Sequence, residues 1–143
     1  MYIEGRTTKR QSQAINFFAD CLFPHQLKRH LWVEVRQRRM NGVYGYVFVE
    51  SYNVRGKPRH FVIVMNSKLP SDLKIRTLAH EMIHIKQYVY NELNEEMTMW
   101  RGRKVNSEKI PYFNQPWEIE AWKKGDKIYE QFWRLTWQDN LTL

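Results

Sequence analysis

The stretch Leu78-Ala79-His80-Glu81-Met82-Ile83-His84 carries two histidines four residues apart, with a glutamate directly after the first. On an α-helix, positions four apart lie on one face, so both imidazoles reach a single metal ion. Glu81 turns aside from that pair and stays free of the metal. Such an arrangement suits hydrolysis: bound Zn2+ lowers the pKa of its water towards roughly 7, and a free carboxylate alongside takes the proton. With 5 His in 143 residues, H-E-x-x-H is expected by chance in roughly one chain in a hundred of this composition. The plainer alternative is a core helix that happens to carry two histidines. Against it stands a polar stripe, Thr77, His80, His84 and Gln87, set among Leu78, Met82, Ile83 and Ile85. Buried polar groups without partners are costly.

A catalytic zinc needs a third protein ligand and one open position. Where the pattern H-E-x-x-H-x-x-G-x-x-H places its glycine and last histidine, this chain has Gln87 and Tyr90. A downstream carboxylate is then expected, and Pro116-Trp117-Glu118-Ile119-Glu120-Ala121-Trp122 offers two. Glu118 shares a helical face with Ala121, Trp122, Gly125, Ile128, Tyr129 and Phe132, the apolar stripe. A carboxylate directed into a core requires a cation. Glu120 shares its face with Lys123, Lys124 and Lys127, and a Glu four residues before a Lys makes an ordinary surface pair. Glu118 is the expected ligand and Glu120 the alternative. The small residues Ala121 and Gly125 would let this helix approach the histidine helix closely.

Other residues have chemistry within reach. Tyr112 is suited to donate a hydrogen bond to an oxyanion, or else anchors its loop by packing on Trp117. His60 opens a strand and Asn66 closes it; His60 would stabilise a tetrahedral intermediate, or is simply a surface histidine. Trp100, Trp117, Trp122, Trp133 and Trp137 could stack bases, but helical spacing in the last element argues for core. Cys21 lies among apolar residues and is expected to be inert.

The elements that must position these groups follow from periodicity. Ala14, Ile15, Phe18 and Leu22 give a helix from Thr8 to about Cys21, ended near Pro24. Residues 31 to 36 alternate as a strand, Asn41-Gly42 signals a hairpin, and Val43 to Tyr52 supplies the partner. A turn over Asn53 to Pro58 leads to a third strand, His60 to Asn66, completing an antiparallel meander of three strands. Ser71 is placed to N-cap a helix reaching about Leu93. Thr98 to Val105 reads as a small hairpin around Arg101-Gly102, and Pro111 to Pro116 as a loop. Pro116 suits the first position of a last helix extending to about Trp137. The expected fold is α+β, a single domain over residues 1 to 143, its three-stranded antiparallel meander packed on the H-E-x-x-H helix and the C-terminal Glu-bearing helix.

H-E-M-I-H followed by Tyr112 through Ala121, with its P-W-E-x-E-A element, resembles the small gluzincin-type metallopeptidases, including SprT-like and related minimal domains common in phage genomes. The resemblance spans about Phe61 to Ile128. It implies a minimal zincin-like fold, one Zn2+ per chain held by His80, His84 and a Glu, Glu81 as general base, and hydrolysis of a peptide or protein substrate. SprT proper often has a third His and a C-terminal zinc ribbon, both missing here, so a role at DNA–protein crosslinks does not carry over.

Composition narrows the setting. Hydrophobic residues at 43%, with six Trp, exclude disorder. A lone cysteine excludes an internal disulfide and fits a reducing compartment. The longest apolar run, Phe61 to Met65, is far short of a membrane span, and Met-Tyr-Ile-Glu-Gly-Arg has no secretory h-region. A cytoplasmic setting is expected, with host cytoplasm or virion as variants for a phage-encoded chain. The net charge of +8 favours acidic partners, but the basic residues are scattered, so weak non-specific nucleic-acid binding is the expected ceiling. A basic interaction or nucleic-acid-binding protein with a structural or vestigial zinc site is the alternative function. It leaves unexplained the free carboxylate at Glu81.

Overall fold

A computed structural model describes residues 1–142, with side-chain burial described as far as Thr136. The element order is β1 (Tyr2–Gly5), α1 (Lys9–Leu22), α2 (His25–Lys28), β2 (Trp32–Arg38), β3 (Gly45–Tyr52), β4 (Pro58–Asn66), α3 (Ser71–Val89), β5 (Met99–Trp100), β6 (Arg103–Lys104) and α4 (Pro116–Thr142). Two 3-10 turns, Ser107–Lys109 and Tyr112–Asn114, precede α4. The α+β class stands as expected, and so do the small β5–β6 hairpin and the placement of Pro116 at the start of the last helix.

The strand order corrects the meander. β1 and β2 are parallel, β2 and β4 are parallel, and only β3 runs antiparallel to β4, in the order β1-β2-β4-β3. Asn41-Gly42 therefore does not close a hairpin; the connection carries the chain past the place that β4 later fills. The physical reason lies in β4. Phe61, Val62, Ile63, Val64 and Met65 are all buried, and a strand apolar on both faces belongs in the middle of a sheet. β3 is buried only at Val49 and occupies the edge. Its real hairpin partner is β4, through a turn in which Asn53 Oδ1 accepts from the amides of Arg55 (3.0 Å) and Lys57 (2.9 Å).

β1 was not anticipated, since four residues carry too little periodicity. It is held by register: Gly5 has φ +98 and lies against the Val35 carbonyl, where an added Cβ would sit 2.1 Å from the oxygen. Only glycine fits there.

α1 begins with a reciprocal cap, Thr8 Oγ1 accepting from Gln11 N and Gln11 Oε1 from Thr8 N, both 3.1 Å. It buries Gln11, Ala14, Ile15, Phe18 and Ala19. α3 starts from Pro70 as N-cap, so Ser71 is its first helical residue rather than its cap. It also ends earlier than Leu93. Asn91 adopts φ 55, and the amides of Glu92 and Leu93 turn back to the Gln87 carbonyl at 2.8 and 3.3 Å. Every residue of α3 from Thr77 to Ile85 is buried, so the histidines sit at the centre of the molecule. α1, α3 and α4 share one apolar core with Val33, Val35, Phe61, Ile63 and Met65.

α4 crosses α3 at the histidines. A Cβ added to Gly125 would meet the Cα and N of His80 at 3.2 Å, and the neighbouring Ala79 carbonyl carbon at 3.4 Å. Those are backbone atoms of a buried helix and have little room to yield. Gly125→Ala is expected to lower metal affinity and Gly125→Val to lower it further, by at least about tenfold, because each added side chain forces the helices apart. Calorimetric zinc titration of both variants checks this; a Gly125→Val protein that binds zinc as the parent does would show that the crossing does not set the site.

Among the described residues, no helix is long and apolar enough to cross a membrane.

Candidate metal centre

His80 and His84, one turn apart on α3, present their Nε2 atoms 3.2 Å from each other. Glu118, in the first turn of α4, places Oε1 3.2 Å from His80 Nε2 and 2.5 Å from His84 Nε2. All three residues are buried, and together they form a group able to bind a metal ion. Tetrahedral donors about 2.0–2.1 Å from a zinc ion lie roughly 3.3 Å apart, so two of the three separations already match. The third is shorter and suits a proton.

The tautomer of His84 follows from its neighbours. Gln87 Nε2 lies 3.0 Å from the Trp117 carbonyl and 3.1 Å from Glu120 Oε1, both pure acceptors. The amide nitrogen must face them, which turns Gln87 Oε1 to His84 Nδ1 at 2.7 Å. His84 Nδ1 therefore carries hydrogen, and in the neutral ring Nε2 holds a lone pair. That lone pair points at a carboxylate oxygen, a repulsive arrangement unless a cation or a proton lies between them. The donor set thus fits a metal ion.

Without a metal the proton takes that place. Burial would lower the His84 pKa, but the hydrogen bond to Glu118 and the charges of Glu81 and Glu118 raise it to about 9. Burial would raise Glu118, but hydrogen bonds from His80 and His84 and the histidine charges pull it down to about 2.

Glu81 is buried and makes no side-chain hydrogen bond among the described residues. It lines, with His80, a cleft of about 820 Å3 between the start of β3 and the segment before α4. Burial raises its pKa; His84 and His80 oppose that shift, and Glu118 adds to it. A carboxylate held in this way has raised affinity for a proton.

Glu120 is not the surface residue its spacing suggested. It is buried, and besides Lys124 (3.2 Å) it pairs with Lys86 (3.4 Å) and with Arg101. Its carboxylate is pulled below the ordinary range by the Gln87 hydrogen bond and by Lys86 and Lys124, against the effect of burial. It faces away from the metal group and reaches it only through Gln87. Gln87 belongs to the polar stripe read from the sequence, but its link to His84 was not anticipated. The signal was present: a Gln three residues after a ligand His is on the adjoining turn.

His60 does not join the site. It lies in the sheet, its ring stacked on Trp32 at 3.8 Å and its Nδ1 3.4 Å from Ser51 Oγ. β4 is central, so His60 is not on an edge strand. Tyr112 does line the cleft, half exposed, and its aromatic neighbour is Phe113 at 5.2 Å rather than Trp117. Partial burial, then the Glu118 charge, raise its hydroxyl to about 12, so it stays a hydrogen-bond donor at neutral pH.

Of the tryptophans, Trp117 is fully buried with Trp100 against it at 6.1 Å. Trp122 and Trp133 are half-buried, and the side chain of Trp137 lies outside the described residues. Cys21 is exposed, not packed; partial burial of the sulfur, then Asp20, raise its pKa, which makes the thiol less reactive.

Set against protein-family models, curated proteins and solved structures, the chain matches none.

Proposed function

We propose that this protein is a small gluzincin-like zinc peptidase, with His80, His84 and Glu118 as ligands and Glu81 as the general base. One observation carries the reading: two imidazole nitrogens and a carboxylate converge in a buried group, and a second carboxylate, uncommitted, opens on the adjoining cleft. A purely structural site has no use for that second group. Two histidines and one carboxylate make a donor set suited to zinc with an open position.

The bound ion would supply Lewis acidity and acidify a water. Glu81 accepts the proton from the attacking water and passes it to the leaving amine. The Tyr112 hydroxyl, on the same cleft, is a donor for the developing oxyanion. Gln87 keeps His84 in the tautomer that frees Nε2. A peptide substrate is favoured by the sheet edge: the cleft is lined by Gly42, Val43, Tyr44 and Gly45 at the start of β3, whose outer edge pairs with no strand among the described residues. An extended chain adds there as one more strand.

The test is metal content against pH. One zinc per chain is expected in purified protein, and affinity should climb with pH, since binding displaces the proton shared by His84 and Glu118. The rise should be about tenfold per pH unit and level off near pH 9, the raised value of His84. The metal-free protein should behave in the opposite sense. The contribution of His84 is full below its ordinary 6.5 and lost as pH rises through about 9. That of Glu118 is present above 4.5 and lost as pH falls through about 2. Protein that contains no zinc, and whose melting temperature does not respond to added zinc at pH 8, would refute the reading.

A further inference from the structure

The cleft beside Glu81 has walls of an unusual kind for a protein of net charge +8. Its apolar surface comes from Val43, Tyr44, Leu69, Phe113 and Trp122. Several of these are uncovered: Val43 is 44% exposed, Tyr44 47% and Phe113 79%. Large apolar side chains left open around a concave site signal a ligand.

The polar groups of the wall say what that ligand is not. Asn66 spends its side chain on backbone to either side of it, Nδ2 donating to the carbonyls of Met40 (2.9 Å) and Val43 (2.8 Å), Oδ1 accepting from Lys68 N (3.1 Å). Thr77 Oγ1 donates to the Leu73 carbonyl at 2.8 Å. Near Trp122, Arg76 lies over the indole at 5.2 Å but is paired with Asp126 through two bonds of 2.7 and 2.9 Å. Apart from the base and the ligand histidine, no charged side chain among the described residues lines the cleft. A substrate lysine or aspartate buried there would lose its hydration and gain no ion pair. An apolar side chain loses nothing and covers the exposed aromatic faces.

We infer that this cleft is a specificity pocket for one large apolar side chain, aromatic or long aliphatic, of the substrate peptide next to the bond that is cut. The inference rests on the peptidase reading and adds the substrate class to it. Trp122 ties pocket and centre together, since its ring lies 4.1 Å from that of His80 and 6.3 Å from that of Tyr44.

A peptide library digested by the zinc-loaded full chain, with cut sites read by mass spectrometry, tests it. One position beside the cut should be enriched at least about tenfold in Phe, Tyr, Trp, Leu or Met over Asp, Glu, Lys and Arg, as expected for a buried apolar side chain. Phe113→Ala should flatten that preference, and Val43→Glu should shift it towards Lys and Arg. Both positions are open enough for folding to persist, which a melting curve verifies. Cleavage with no preference at any position overturns the inference and leaves the peptidase reading standing. Where no peptide is cut, the peptidase reading is in question and binding decides the pocket. N-acetyl-phenylalanine amide should perturb the Trp122 indole NMR signal at concentrations at which N-acetyl-aspartate amide does not. Equal perturbation by both, or by neither, overturns it.

Discussion

Glu81→Gln should retain one zinc per chain and lose peptide cleavage by about three orders of magnitude. Glutamine has the shape of glutamate but cannot take a proton from the attacking water. General base catalysis alone is worth roughly 10^2 to 10^4 in rate, and no other carboxylate among the described residues lines the cleft. Folding gives no reason for a loss. The carboxylate is buried without a hydrogen bond among the described residues, and burial raises its pKa, so a neutral isostere removes a desolvation cost. The melting temperature of the metal-free variant should therefore be no lower than the parent's at pH 8. A peptide-library digest run in parallel on parent and variant is the deciding measurement. Equal cleavage by both would mean that Glu81 is not the base or that the activity belongs to a contaminant.

The part of this site that could be read from the sequence is the part that local geometry determines. Helical period alone put His80 and His84 on one face, and the apolar stripe of the last helix singled out Glu118 from Glu120. It also foresaw the close crossing at Gly125, whose open side faces the backbone of His80. What escaped is set by contacts between distant segments. β1 joins β2 across some thirty residues, in a register of Tyr2 with Trp32, and nothing in four residues announces that. The central place of β4, by contrast, is legible. Phe61 to Met65 is apolar without alternation, the mark of a strand covered on both faces, whereas Asn41-Gly42 invited a local hairpin. His60 opens that central strand, and the edge that a meander would have given it belongs to β3. Glu120 failed for a related reason. The four-residue rule found Lys124, but Lys86 and Arg101 come from other elements and turn a surface pair into a buried one.

That buried pair separates two carboxylates only two residues apart in sequence. Glu118→Ala should reduce zinc affinity by well over 100-fold, since it removes a donor and leaves His84 Nε2 without its partner. Glu120→Ala acts at a remove. Its carboxylate accepts from Gln87 Nε2, and Gln87 in turn accepts from His84 Nδ1. Loss of such an outer partner costs roughly 10- to 100-fold in metal affinity, more than a surface glutamate and less than a ligand. Gln87→Leu should lie in the same range. Because both changes release the same constraint on His84, the double variant should be less impaired than the product of the two single effects. Zinc affinities for the parent and the four variants, measured by competition with a chelator at one pH, test this order. The pH profile gives an independent check. In Glu118→Ala the His84 imidazole loses the hydrogen bond and charge that lift it to about 9, so the plateau of zinc affinity against pH should move to lower pH. In Glu120→Ala that contact is intact and the plateau should stay. If Glu120→Ala strips the zinc while Glu118→Ala retains it, the ligand assignment is wrong, and the group built around His80 and His84 would need Glu120 to turn inward.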